Sequence, residues 1–113
     1  MTTRKFHLYT ADLNPRFGTE PGKMRPVVVV QTNLLNQEHP SVIICPITTR
    51  INHQAKILRI HLKKGEAGLK SDSDIIVDQV RAIDNKRLRE QLGEISDKNK
   101  HLLLNSLRLL ILE

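Results

Sequence analysis

Up to residue 80 the apolar residues come in short runs: PVVVVQ at 26–31, VIICPI at 42–47, ILRIHL at 57–62 and IIVDQV at 75–80. Segments rich in Gly, Asn, Asp and Pro separate them. Runs this short and this rich in Val and Ile read as strands rather than buried helices. The first two lack alternation, as expected of strands covered on both faces, whereas Leu58, Ile60 and Leu62 alternate with Ile57, Arg59 and His61, as in a strand with one wet face. His7 to Leu13 (HLYTADL) predicts a first strand ending in the turn signal NPRFG, and Arg16 to Met24 a polar loop. Pro46 cannot donate to a ladder, so its strand is expected to end, bulge or lie at an edge there, with Thr48 and Thr49 at the terminus. Beyond residue 80, Asp84 is placed to cap a short helix over Asn85 to Gln91, Gly93 to stop it, and Leu92 to Ile95 to add a last short strand. Ser96 then offers an N-cap for a closing helix in which Leu103, Leu104, Leu107, Leu110 and Ile111 keep helical spacing, widened by Leu102 and Leu109. The predicted fold is mainly β with attached helices: a small curved sheet or barrel with a C-terminal helix.

A chain of 113 residues is expected to form one domain over 1–113. Its formal charge of +6 favours a polyanionic partner, and the excess lies mostly in residues 1–56. Aromatic residues make up 3%, with no Trp, which argues against a platform that stacks several bases. No stretch is apolar for long enough to span a bilayer, and the N-terminal MTTRKFHLYTADL lacks a signal-peptide core, so a cytoplasmic protein without membrane association is expected. Cys45, the single cysteine, reads as a small buried hydrophobe.

The five histidines are dispersed, and Asp72, Asp74 and Asp78 do not follow EF-hand spacing. They read as a solvated turn entering a strand, and neither a metal nor another cofactor is expected. His53 and His61 read as ordinary surface residues, and no G-x-S-x-G element is present. What remains is phosphoryl transfer on RNA, which carries its own nucleophile and asks the protein for positioning and charge stabilisation. Arg and Thr side chains suit that task, as a two-point phosphate ligand and a hydroxyl donor.

Four elements then occur in order: D-x-N-P followed by G-T-E, an R-P ahead of the valine strand, P-I-T-T at a strand end, and D-Q-V-R before the predicted helix. Together they span residues 12–84 and closely resemble the MazF/PemK family of toxin–antitoxin ribonucleases. That resemblance implies an SH3-like barrel of the MazF/PemK type, a homodimer, and cleavage of single-stranded RNA to 2',3'-cyclic phosphate and 5'-hydroxyl ends. It further implies neutralisation by a cognate antitoxin and activity of the mRNA interferase kind. By the same resemblance Arg25 and Thr48 are the catalytic pair, while Glu20, Gln79 and Arg81 bind RNA or support the site. The alternatives are a toxin of the same fold acting on DNA gyrase, which would not need the Arg25 and Thr48 pair, and a basic RNA-binding module without chemistry. One departure is visible, since Phe6 and His7 stand where many relatives carry Gly-Asp, and it bears on how the chain enters its first strand.

Overall fold

The computed structural model describes residues 3–15, 18–19, 23–55 and 58–113. The described residues build seven strands and two α-helices: β1 (His7–Asp12), β2 (Met24–Val29), α1 (Asn33–Asn36), β3 (Ser41–Thr48), β4 (Arg59–Leu62), β5 (Ser73–Ile76), β6 (Arg81–Asp84), β7 (Leu88–Glu94) and α2 (Asp97–Leu112). The antiparallel sheet runs β4-β5-β3-β2-β1-β7, with β6 also paired to β3. It is mainly β with a C-terminal helix, as the run pattern predicts. The path stays open, so the architecture is a curved sheet rather than a closed ring.

The β-branched runs are continuous because the central strands have a core on each face. Leu8, Val28, Cys45, Ile47, Ile60 and Ile75 turn to one side, where Leu103 of α2 joins them. Residues of the other parity, among them Tyr9, Ala11, Val27, Val29, Val42 and Ile44, pack with Ile83 and Leu88 on the opposite face. No helix residue enters this second cluster. The sheet covers that face by bending on itself, helped by two register shifts between β1 and β7 at Leu8/Tyr9 and Tyr9/Ala11. Cys45 is buried as expected, and burial pushes its thiol up to about 12.

Three expectations are corrected. Asp84 does cap a turn, its Oδ1 accepting the Lys86 N–H at 2.8 Å, but only a 3₁₀ turn, Asn85–Arg87, forms in place of a helix to Gln91. Leu88 to Glu94 instead pairs with β1, whose outer edge needs a partner more than LREQLGE needs its helix propensity. The strand expected over Ile75 to Val80 stops at Ile76, and Val77–Gln79 forms a 3₁₀ turn of 3 residues. On β3, Ile47 pairs with Ile75 while Ile44 pairs with Arg81, so this turn is looped out of the ladder. Pro46 lies opposite the loop-out, and β3 continues past it to Thr48. The bond from Val30 N to Ile43 O, followed along the strand, turns the Pro46 nitrogen toward this gap, where no donor is needed.

Phe6 explains the unusual strand entry. Its φ is 70°, a left-handed conformation that glycine adopts freely and that costs another residue about 1–2 kcal/mol. The ring offsets this by packing against the α2-side core, with the Lys5 and Lys100 ammonium groups 5.0 and 5.6 Å from its centroid.

Gly93 does not break a helix but lies in β7, where it admits a close backbone contact. A Cβ on it would lie 2.9 Å from the Ala67 carbonyl carbon, and one on Gly68 would lie 2.7 Å from the Leu92 carbonyl oxygen. Gly68 also has φ +80°, so Gly68→Ala combines left-handed strain with a clash against backbone and is expected to cost about 2–4 kcal/mol. Gly65→Ala, at φ +97° with no atom within 4 Å of the added Cβ, should cost only about 1–2 kcal/mol. Urea unfolding of the two variants checks the difference, and equal losses would mean that the contact with β7 is slack.

Candidate active site

Arg25 is the second residue of β2, half-buried and opposite Ala11 of β1. Thr48 closes β3 and is 7% exposed. Strands β2 and β3 pair at Val29–Ile44, Val28–Cys45 and Val27–Pro46; carrying that register on by two residues sets Arg25 across from Thr48. The R-P and P-I-T elements, distant in sequence, therefore meet at one end of two adjacent strands.

Side chains on one rung of a sheet share a face. Thr48 pairs on its other side with Asp74 of β5, and Asp74 with His61 of β4. One cross-strand row thus carries His61, Asp74, Thr48 and Arg25, and continues to Ala11 and Leu88. The Thr48 Oγ1 accepts the Arg50 N–H at 3.1 Å, which leaves its own hydroxyl hydrogen available to a ligand oxygen.

Gln79 ends the looped-out 3₁₀ turn and lines a groove of about 270 Å³ with Thr19, Asn52, Leu58, Arg59 and Asp78. Arg81 is back in the ladder, opposite Ile44 of β3. Since Gln79 lies outside the strand, the two do not share one strand face. Arg81 has the parity of Thr48 but stands four residues back along β3, roughly 13 Å away at the usual strand rise. Glu20 lies outside the described residues.

Asp74 is not in a solvated turn. Its side chain is 0% exposed, with Oδ1 2.5 Å from His61 Nδ1 and Oδ2 accepting from Asn52 N at 2.9 Å and from the Arg59 guanidinium at 3.2 Å. Asp72 keeps the turn role, accepting the Lys64 N–H at 2.8 Å, and Asp78 is exposed in the 3₁₀ turn Val77–Gln79. The signal for Asp74 was in the strand pattern: Arg59 and His61 on the polar parity of β4 can donate to a carboxylate placed just ahead of the Ile75-Ile76-Val77 run. Among the described residues, no three His, Cys, Asp or Glu side chains converge as metal ligands, and no helix is long and apolar enough to cross a membrane.

Residues 4–111 match the family described as PemK-like, MazF-like toxin of type II toxin–antitoxin system, and the chain belongs to that family. A relative in Staphylococcus saprophyticus, named endoribonuclease MazF, is 40% identical over 95 residues, covering 84% of this chain and 79% of the relative. The crystal structure of MazF from Deinococcus radiodurans superimposes with a TM-score of 0.85 at 22% identity, over 100% of this chain and 99% of that one. A MazE–MazF structure from the same organism gives 0.78 at 23% identity, over 98% and 96%. At those identities the two structures speak for the fold.

Proposed function

We propose that this chain is a sequence-specific, metal-independent endoribonuclease toxin, a single domain over residues 1–113 acting on single-stranded RNA in the cytoplasm. The observation that carries this reading is the β2–β3 register, which, carried on by two residues, sets Arg25 across from Thr48 at the strand ends. The ribose 2'-oxygen attacks the adjacent phosphorus, the bond to the 5'-oxygen breaks, and the products are a 2',3'-cyclic phosphate and a 5'-hydroxyl. The proton of the 2'-hydroxyl is given up and one is taken by the leaving oxygen. Arg25 holds a nonbridging oxygen through its planar guanidinium as charge builds there, and the Thr48 hydroxyl donates to the same phosphate. With a pKa above about 12, Arg25 acts chiefly as an electrostatic stabiliser rather than a free proton shuttle. Gln79 lines the adjoining groove, while Arg81 and Glu20 are assigned supporting contacts to RNA.

A cognate antitoxin neutralises the enzyme in this reading, in keeping with the MazE–MazF pairing of the Deinococcus structure. Its acidic segment would place carboxylates where the RNA phosphates lie. A homodimer is part of this reading, supported by α2, which buries Leu103 but leaves Leu102, Leu104, Leu109, Leu110, Ile111 and Leu112 exposed. The deciding experiment incubates the purified protein with single-stranded RNA, with and without EDTA, and maps the cut ends. Cleavage of equal rate under both conditions, with 5'-hydroxyl ends, is expected. A requirement for added magnesium would overturn the mechanism, binding without cleavage would favour an RNA-binding module, and inhibition of gyrase supercoiling alone would favour a gyrase toxin.

A further inference from the structure

Beside Thr48 the cross-strand row holds a buried carboxylate that takes no part in the chemistry above. Asp74 has no exposed side-chain surface, and a carboxylate in such a place persists only when its oxygens are met by donors. Here they are met by three, two from β4 and one from the segment that follows β3. His61 Nδ1 of β4 approaches Oδ1 at 2.5 Å, and Oδ2 accepts from the backbone N–H of Asn52 and from the Arg59 guanidinium. The same Arg59 nitrogen donates to the Arg50 carbonyl at 3.1 Å. Arg50 is thereby fastened at both ends, its carbonyl to Arg59 and its N–H to the Thr48 Oγ1. The segment leaving β3 is pinned twice, directly at Asn52 and through Arg59 at Arg50.

We infer that Asp74 is a positioning residue for RNA cleavage: through Arg59 and Asn52 it fixes the segment after Thr48, and so the direction in which the Thr48 hydroxyl donates. This rests on the reading of Thr48 as a phosphate ligand. The carboxylate accepts on both sides and holds Arg59 by a charge-assisted bond. An amide of the same shape loses that charge, and it can turn its NH₂ group toward His61 only where the ring presents an Nδ1 without a hydrogen.

The test is a double-mutant cycle of Asp74→Asn and Thr48→Val, with single-turnover kcat and KM on a single-stranded RNA and folding checked by circular dichroism and thermal melting. Asp74→Asn is expected to lower kcat by roughly 10- to 100-fold with KM little changed, the scale at which misplaced groups act. In the Thr48→Val background it is expected to cost almost nothing, since the hydroxyl it orients is gone. A merely structural role predicts the same fold-loss in both backgrounds, and that result, or an Asp74→Asn enzyme of full activity beside a damaged Thr48→Val, overturns the proposal. Full activity in Thr48→Val instead overturns the assignment of Thr48 and the positioning role with it. Should Asp74→Asn fail to fold, Arg59→Gln, which keeps the carboxylate and releases the Arg50 carbonyl, runs the same cycle with the same criteria and a smaller expected loss.

Discussion

A single-stranded RNA in which only the ribose at the cut position lacks its 2'-hydroxyl is expected to bind with nearly unchanged affinity and to remain intact, with cleavage slowed by at least about 10⁴-fold. The size of the effect follows from what an intramolecular nucleophile supplies, since its effective concentration reaches about 10⁵ M or more when correctly oriented. Among the described residues, nothing at the row formed by Thr48 and Arg25 replaces it. Cys45 lies on β3 with its side chain in the α2-side core, and its buried thiol is pushed up to about 12, so thiolate is scarce near neutrality. Thr48 already accepts the Arg50 N–H, and among the described residues no imidazole or carboxylate is its direct hydrogen-bond partner. Affinity should survive because it is dominated by phosphate contacts, which the deoxy substitution leaves in place. Binding and gel-based cleavage assays on the matched pair of oligonucleotides make the comparison, and undiminished cutting of the deoxy substrate would rule out internal attack.

What the sequence made legible was what neighbouring residues decide. The valine run of β2 announced a strand with two cores, Ser96 capped α2 by accepting the Asn99 N–H at 3.3 Å, and Thr48 fell at a strand end. What it concealed was decided by partners far along the chain. Leu88 to Glu94 holds Leu, Arg, Glu and Gln, all good helix formers, yet the vacant edge of β1 recruits it as a strand. Val77–Gln79 looks like the rest of a strand until β3 is seen to pair with β5 before it and β6 after it. The site followed the same division. Motif order singles out Arg25 and Thr48 as candidates, but their alignment depends on the β2–β3 register, which neither motif encodes. Asp74 was missed because an acidic residue in SDSD has the composition of a turn, and only pairing with β4 supplies the Arg59 and His61 that allow its burial.

That register is also why Arg25 should tolerate no conservative exchange. Arg25→Lys keeps the charge, so long-range attraction of RNA and the salt dependence of binding should change little. The loss falls on geometry. A guanidinium on β2 offers two parallel N–H groups to two oxygens of one phosphate, and the pairing of Arg25 with Ala11 of β1 fixes the backbone from which it extends. An ammonium is a point donor that hydrates strongly and can follow a phosphate oxygen without being aligned with the charge that develops in the transition state. Removing a preorganised donor of this kind costs about 10²- to 10³-fold in turnover, so kcat for Arg25→Lys is expected to fall by about 10²-fold or more with KM nearly constant. Arg81→Lys is the matched control, since Arg81 stands opposite Ile44 rather than Thr48 and should act as an RNA contact in which charge is enough. Its kcat is expected to stay within about 3-fold of the parent, as for a contact that holds phosphate without sensing the transition state. Single-turnover rates at saturating RNA separate the two. Should Arg25→Lys keep near-parental turnover, Arg25 would be reduced to a general phosphate contact, and charge stabilisation at the cut would have to come from another residue.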